Sequence, residues 1–298
     1  MTRIRDEIEK YLTTGDSDPW CGAWPGNVLD AWQRGHQDMT DALIEEIGRR
    51  AHGRDVRVPE IPGDLVAFTR RQVEPMVRGL FPRAEQAAVL AVLEKSVVFL
   101  TPSTIEPVLR GEQWLRSSWR IANLYLRSIG AEPLGEDVHI VGMSEDTTCY
   151  VSMRYFEDQD PFADYVVHEA AHIFHNCKRV TVGLPGVRRR EWLLQIEFRK
   201  RETFAYACEA YSRIVEHGGS PRERLALAER FAAHPGISDE SVEPAEVADI
   251  VREASAHRNG WKVIQGRCKP PKPPTRAEFI RRSIEQAARA NAGLTEGS

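Results

Sequence analysis

The chain has 298 residues, of which 42% are hydrophobic and 28% are charged, and its formal net charge is −4. These proportions are those of ordinary globular proteins, and they exclude a disordered or fibrous class. The small net charge gives no overall attraction to nucleic acid or to an anionic membrane. The longest apolar stretch, AAVLAVLEKSVVFL, is interrupted by Glu94 and Lys95 and is shorter than the ~20 residues that span a bilayer.

Cysteine usage and the N-terminal segment both favour a cytoplasmic location. The five cysteines are scattered and form no C-x-x-C pair, so we expect reduced thiols. The first residues, MTRIRDEIEKYLTTGDSD, contain no apolar segment after their basic residues, unlike a secretory signal. We therefore expect a cytoplasmic protein that does not interact with membranes.

The N-terminal region, residues 1–110, is predicted to be helical. Turn-forming Pro and Gly residues in WPGN and VPEIPGD separate its helices. The segment EQAAVLAVLEKSVVFL places apolar residues at helical spacing. The segment GEQWLRSSWRIANLYLRSIG, which follows this region, has the same spacing and ends at Gly130, so it predicts a helix at about residues 112–129.

Two strands are predicted within the central region, residues 111–218. Residues 137–143 and 147–156 are rich in Val, Ile, Thr, Tyr and Phe, and they flank the turn-like sequence SED. Together with the surrounding helices, these strands predict an α+β, mainly helical fold with a small antiparallel or mixed sheet.

Two helices follow the strands. Asp160 supplies a cap and Pro161 suits the first helical position, so we predict a helix from Pro161 to Cys177. A second long helix is predicted over residues 191–217, where the sequence reaches two glycines.

The C-terminal region, residues 219–298, is also predicted to be helical. Its helices are expected at about residues 221–233, 243–257 and 275–290. The proline-rich sequence within residues 269–274 is expected to be a stiff, extended linker before the last of these helices.

The first helix of the central pair contains the sequence His168-Glu169-Ala170-Ala171-His172. Two histidines four residues apart share one helix face, so both imidazoles can reach one tetrahedral Zn²⁺. Glu169 is then placed to act as a general base in the hydrolysis of a polarised carbonyl. The alternative is an amphipathic helix whose histidines are merely hydrogen-bonded, and it leaves Glu169 in an apolar segment without a purpose.

A catalytic zinc site needs a third protein ligand. Glu202 and Glu209 are seven residues apart and share a face, so periodicity does not choose between them. His175 faces the same side as His172, but three ligands on one straight helix make a poor tetrahedron. We expect His175 to contact a metal ligand or substrate, or to be a partly buried bystander. The carboxylates that the second helix offers are Glu191, Glu197, Glu202 and Glu209.

These features resemble the gluzincins, zinc metallopeptidases in which a helix with H-E-x-x-H is followed by a helix that donates a glutamate. In several of these families an alanine follows the ligand glutamate by three residues, and Glu202-Thr-Phe-Ala205 has this form. The resemblance covers roughly a third of the chain and implies that one Zn²⁺ is held by His168, His172 and Glu202, with Glu169 as the catalytic base.

The resemblance also implies a minimal zincin-like core, in the order helix, strands, motif helix and ligand helix. In such a core the strand before the motif helix, here residues 147–156, pairs with extended substrate. Related enzymes often have an acidic residue where this chain has Tyr206. Tyr206 donates to the oxyanion, orients a ligand or packs, and the spacing of its aromatic neighbours favours packing. Glu209 is expected to act from outside the ligand set or to be an ordinary polar residue.

The resulting prediction is a zinc-dependent peptidase that acts on a protein or peptide substrate. A zinc amidase for a small or non-ribosomal substrate is one alternative. A catalytically quiet binding module held together by zinc is another, although a structural site has no use for Glu169.

Basic residues accompany the predicted cleft, and we expect them to form a solvated surface. A site for acidic substrates or for nucleic acid is the minority alternative. These residues are Lys178, Arg179, Arg188, Arg189, Arg190, Arg199, Lys200 and Arg201.

Overall fold

The computed structural model describes residues 2–54, 56–135, 142–186, 190–237, 239–271 and residue 281. Over these residues the protein is mainly helical with one small mixed sheet, as the sequence predicts. None of the described helices is both long enough and apolar enough to cross a membrane. The α-helices are α1 (Thr2–Thr14), α2 (Val28–Ala51), α3 (Leu65–Leu80), α4 (Arg83–Leu93), α5 (Ile105–Gly111), α6 (Leu115–Ser128), α7 (Tyr165–Asn176), α8 (Arg201–His217), α9 (Pro221–Ala233), α10 (Pro244–Ala256) and α11 (Gly260–Arg267).

The sheet consists of β1 (Val97–Leu100), β2 (Gly142–Glu145) and β3 (Thr148–Ser152), in the order β1-β3-β2. β1 runs parallel to β3, and β2 is antiparallel to it. The prediction that residues 147–156 form the substrate-binding edge is wrong, because β3 has a partner strand on each side. The end of that segment is a 3-10 helix, Met153–Phe156.

The β2–β3 hairpin also corrects the predicted turn. Ser144 and Glu145, expected in the turn, are the last residues of β2, and the connection consists of Asp146 and Thr147. Asp146 has a φ of 47°, a left-handed conformation that Asp tolerates in two-residue hairpins. Most of the predicted strand 137–143 lies outside the described residues.

The apolar segment EQAAVLAVLEKSVVFL is not one helix. Its first part belongs to helix α4, which ends at Leu93, and its last part forms the strand β1. A parallel strand buried on both faces is a continuous apolar run, and such a run cannot be told from a buried helix by periodicity. β1 pairs with β3, so the sheet joins residues from the predicted regions 1–110 and 111–218.

Both helices of the central pair begin later than predicted. α7 begins at Tyr165, with Asp164 as its N-cap, while Asp160 accepts a hydrogen bond from the amide of Phe162 in the preceding turn. The second helix, α8, begins at Arg201, and residues 191–197 are not helical.

The non-helical segment before α8 follows the end of α7. The amide of Leu193 donates to the carbonyl of Cys177 at 3.0 Å, and that of Leu194 donates to Phe174 at 2.7 Å. Carbonyls in the last turn of a helix lack partners within the helix. Residues 193 and 194 supply these partners through their own amides, which explains why the segment 191–197 is non-helical and is not part of α8.

Several other predictions are confirmed. Helices α6, α9 and α10 lie within a few residues of their predicted positions, and Gly130 after α6 has a φ of 66°. Helix α11 was not predicted. Residues 272–274 of the proline-rich linker lie outside the described residues, and so does the predicted helix 275–290 apart from residue 281, which is helical.

Helix α7 lies at the centre of the larger hydrophobic cluster, which also includes residues of α3, α4, α8, α10 and the sheet. Its apolar side chains are fully buried, and each burial of a Val, Ile or Phe side chain contributes about 1.5–3 kcal/mol. The face with the motif histidines and Glu169 lines a cavity. The fully buried residues of α7 are Val166, Val167, Ala170, Ala171, Ile173 and Phe174.

Candidate metal centre

Helices α7 and α8 run antiparallel and bring the predicted ligands together. Glu202 in the first turn of α8 faces His172 and His168 on α7. The ligand atoms of these three residues all lie within 4.8 Å of one another. The structure therefore assembles the three residues that the sequence singled out as a metal-binding set.

The distances within this set suit a tetrahedral ion. Zn–N and Zn–O bonds of about 2.0–2.1 Å give tetrahedron edges of about 3.3–3.4 Å. Glu202 Oε2 lies 3.3 Å from His172 Nε2 and 3.6 Å from His168 Nε2. Two imidazoles and one carboxylate also leave one coordination position open, as in hydrolytic zinc sites. The residues present fit zinc in both geometry and chemistry.

Glu209 contacts the opposite side of the His168 ring. Its Oε2 lies 2.9 Å from His168 Nδ1, and its Oε1 accepts a hydrogen bond of 2.9 Å from the amide of Asp164. A carboxylate at Nδ1 fixes the tautomer of the imidazole and leaves Nε2 free to bind a metal. Glu209 is thus placed as a positioning residue, and it supplies the acidic partner missing at Tyr206.

His175 contacts Nδ1 of His172, as Glu209 contacts Nδ1 of His168. Its Nε2 lies 3.1 Å from His172 Nδ1, and its Nδ1 lies 3.1 Å from Asn176 Oδ1. Burial and the neighbouring positive charge of His172 lower the pKa of His175 to about 3, so this ring is neutral. Because Asn176 Oδ1 only accepts, His175 Nδ1–H donates to it, and His175 Nε2 accepts from His172 Nδ1–H. These two consecutive hydrogen bonds leave the lone pair of His172 Nε2 directed to the metal-binding set.

Negative charge dominates the electrostatics of the ligand set. Burial lowers the pKa of His168, but hydrogen bonds to Glu202 and Glu209 outweigh burial and raise it well above its usual range. Burial raises the pKa of Glu202, but hydrogen bonds from His168 and His172 outweigh it and lower the pKa. Protons and divalent cations compete for the same nitrogens, so this charge also favours a cation.

Glu169 is buried beside the triad and lines the same cavity. Burial raises the pKa of its carboxyl, and the positive charges of His172 and His168 partly offset this effect. Strand β2 passes directly over the carboxylate at Gly142. A Cβ at this position would lie 2.6 Å from both Cγ and Oε1 of Glu169, so only glycine leaves the carboxylate in place.

No protein-family model, curated protein or solved structure matches the chain. The gluzincin resemblance therefore rests on the residues of α7 and α8 alone. The order of helix, strands, motif helix and ligand helix is present, and the relation of this core to the zincins stays a prediction.

Tyr206 packs against a predicted metal ligand. Its ring meets the His168 ring edge-on, with centroids 4.6 Å apart, which is the packing that the sequence favoured. Burial raises the pKa of its hydroxyl, so the group keeps its proton. Tyr206 also lines the cavity.

Three residues of the site were not singled out by sequence reasoning: Asp164, Asn176 and Gly142. Asp164 caps α7 through a hydrogen bond of 3.2 Å from the amide of Val167. Burial raises the pKa of its carboxyl to about 7. An Asp just before an apolar helical segment is a cap signal, and this signal could have identified Asp164. Asn176 and Gly142 carry no signal in a single sequence.

The basic residues near the cleft do not form one solvated surface. Arg179 is buried and pairs with Glu85 on α4 through two hydrogen bonds, of 2.8 and 3.1 Å. Arg199 and Arg201 line the cavity. Arg188 and Arg189 lie outside the described residues.

Proposed function

We propose that the protein is a zinc-dependent peptidase. The observation that carries this proposal is the convergence of His168, His172 and Glu202 beside the buried carboxylate of Glu169 in one cavity. A structural zinc site has no use for an additional carboxylate at this place, whereas a hydrolytic site requires a base there.

In this proposal His168, His172 and Glu202 hold the ion, which supplies Lewis-acid activation of water and of the substrate carbonyl. The carboxylate of Glu169 accepts a proton from the attacking water at an Oε atom and delivers it to the leaving amine. Glu209 and His175 keep both imidazoles in the Nδ1–H tautomer. The proposal thus gives each buried polar residue of the site a distinct role.

Strand β2 supports a peptide as the substrate. The amide of Cys149 donates to the carbonyl of Ser96 beside β1, so it points away from β2. In an antiparallel ladder, Ser144 opposite Cys149 must then direct its own amide and carbonyl away from β3. Gly142, two residues earlier, has the same orientation. These main-chain groups lie along the cavity, where an extended peptide can pair with them.

The size of the cavity also favours a peptide over a small amide. Its volume is about 1280 Å³, whereas sites for small molecules are usually about 300–1,000 Å³. A cleft of this size accommodates several residues on each side of a scissile bond.

Zinc content and hydrolysis in Glu169→Gln test the proposal. The purified wild type should contain one zinc per chain and produce new peptide termini in a digest of denatured proteins. Glu169→Gln should keep its zinc and lose activity by about 10²–10⁴-fold, because the base is not a ligand. His168→Ala should lose the metal. Equal turnover by Glu169→Gln and the wild type would exclude the catalytic role.

A further inference from the structure

The candidate cleft contains charged side chains of both signs that are not paired within the described residues. Among the residues that the structure describes, no carboxylate lies within 4.0 Å of the guanidinium groups of Arg199 or Arg201. Among the same residues, no cationic group lies within 4.0 Å of the cleft-lining carboxylates Asp160, Asp239 and Glu240. Charged groups inside a concave site focus the field on whatever binds there. Such charges can therefore select a ligand.

The two signs lie at opposite ends of the α7–α8 pair. Because the helices are antiparallel, Arg201 at the start of α8 lies near the end of α7, where its charge contributes to the lowered pKa of His175. Asp160 precedes the start of α7, and a Cβ on Gly236 would lie 3.0 Å from its Oδ2. The loop with Gly236 also carries Asp239, whose charge acts on Tyr206.

The metal-binding triad lies between these two ends. His172 and Glu202 are next to the basic end, and His168 and Tyr206 are next to the acidic end. Any chain that crosses the triad along the helix pair passes from negative to positive surroundings.

Arg201 is the most informative of these charges. Its Nε is buried and has no hydrogen-bond partner within the described residues. A buried donor without a partner costs about 1–3 kcal/mol, more if charged. Its guanidinium carbon lies 4.9 Å from the centroid of the Phe198 ring, which is 77% exposed in the cleft. The aromatic ring holds the guanidinium in place and leaves its donors available for a carboxylate.

We propose that the cleft selects peptides with opposite charges on the two sides of the scissile bond, with Asp or Glu towards Arg201 and Lys or Arg towards Asp239. This selectivity rests on the proposed peptidase function. The carboxylate of the substrate pairs with Arg201 and Arg199, and its cationic group meets Asp239, Glu240 and Asp160.

Binding to the inactive Glu169→Gln protein tests the selectivity without hydrolysis. Three fluorescein-labelled peptides of equal length are compared by anisotropy after zinc loading. One has Lys before and Glu after a central apolar pair, the second has the reverse order, and the third has Gln at all charged positions. One of the two charged orders should bind about tenfold more tightly than the other and than the neutral peptide. The two charged peptides have the same net charge, so their difference excludes nonspecific attraction.

Charge-changing variants assign the effect to the two ends of the cleft. Arg201→Gln and Arg199→Glu should each reduce the preference for the acidic side of the peptide, and Asp239→Asn should reduce that for the basic side. Zinc content is measured for each variant. Arg252→Gln on α10, where the arginine pairs with Glu229 at 2.8 Å, is the matched control and should bind like the parent.

The outcomes separate this inference from the proposed function. Equal affinity for all three peptides would overturn the charge selectivity. Cleavage of all three by the wild type at equal rates would also overturn it, but would support the proposed peptidase function. Selective binding without cleavage by the wild type would support the charge selectivity and overturn the peptidase. Selective binding that Arg201→Gln and Arg199→Glu do not alter would overturn the assignment to these residues.

Discussion

The carboxylate of Glu209 lies 2.9 Å from Nδ1 of His168. Glu202, seven residues earlier on the same helix, approaches Nε2 of the same ring at 3.6 Å. The two glutamates that share a helix face therefore contact the two different nitrogens of one imidazole. Their substitution should have different consequences.

We expect Glu202→Gln to reduce zinc affinity more than Glu209→Gln does. The first substitution removes one of the three proposed protein ligands. The second removes the partner of His168 Nδ1, and loss of such a partner typically costs about 10–100-fold in metal affinity. Competition with a chromogenic chelator measures both. Glu216→Gln, an exposed position near the end of α8, is the control. A larger loss of zinc affinity in Glu209→Gln would show that Glu209 is the ligand and Glu202 the positioning residue. Unchanged zinc affinity in both variants would show that α8 supplies no metal ligand.

Gly142→Ala should lower turnover without lowering zinc content. The added Cβ would lie 2.6 Å from the Glu169 carboxylate, and the carboxylate must move to admit it. A shift of about 1 Å in a catalytic group can cost about a hundredfold in rate. Gly48→Ala is the matched control, because no atom lies within 4 Å of its added Cβ. Wild-type turnover in a folded Gly142→Ala protein would show that Glu169 tolerates displacement.

Ser144→Pro should raise KM for peptide substrates and leave the β2–β3 hairpin intact. Proline removes an amide that points away from β3, so the ladder loses no hydrogen bond. Met143→Pro should instead break the ladder, because the main-chain amide and carbonyl of Met143 point towards its partner Tyr150 on β3. Ser144→Ala separates the effect of the hydroxyl from that of the amide. Unchanged peptide kinetics in Ser144→Pro would exclude β2 as the strand that pairs with substrate.

Glu85→Gln should destabilise the fold strongly at neutral pH. It leaves the buried guanidinium of Arg179 without a counter-charge, at a cost of about 3–5 kcal/mol. Arg179 lowers the pKa of Glu85, so the pair contributes stability above the unfolded pKa of about 4.3 and loses it as the pH falls through the lower folded pKa. Urea unfolding of wild type and variant should therefore converge in acid.

The exposed pair of Glu229 with Arg252 provides a control for this measurement. Glu229→Gln should lower the free energy of unfolding much less than Glu85→Gln does, because both partners of this pair are solvated. A pH-independent difference between wild type and Glu85→Gln would show that packing, and not the charge pair, sets the loss.

The part of the site on α7 could be predicted because a single helix fixes it. The spacing of His168 and His172 determines their common face, whatever surrounds the helix. The choice between Glu202 and Glu209 could not be derived from periodicity, since both glutamates lie on the same face of α8. Their different positions depend on how far α8 is displaced along α7, which is a tertiary property.

The strand order of the sheet could not be predicted for a related reason. Strand order depends on contacts between distant segments, and β1 is almost fifty residues before β3 in the chain. The resemblance to the gluzincins implies that residues 147–156 are the edge strand, and the sequence offers no second partner that would contradict this, because the segment that forms β1 is predicted to be helical. Among the described strands β2 is at the edge of the sheet, next to β3, and its Gly142 lies over Glu169.

The ends of the two helices at the triad have opposite electrostatic character. Glu202 lies in the first turn of α8, where the helix dipole is positive, and His175 lies in the last turn of α7, where the dipole is negative. The dipole of α8 therefore stabilises the carboxylate of Glu202 in its charged form. This contribution is about 0.3–1 kcal/mol, and it holds the charged carboxylate at the start of α8 before any metal binds, so Glu202 should need little reorganisation when an ion enters.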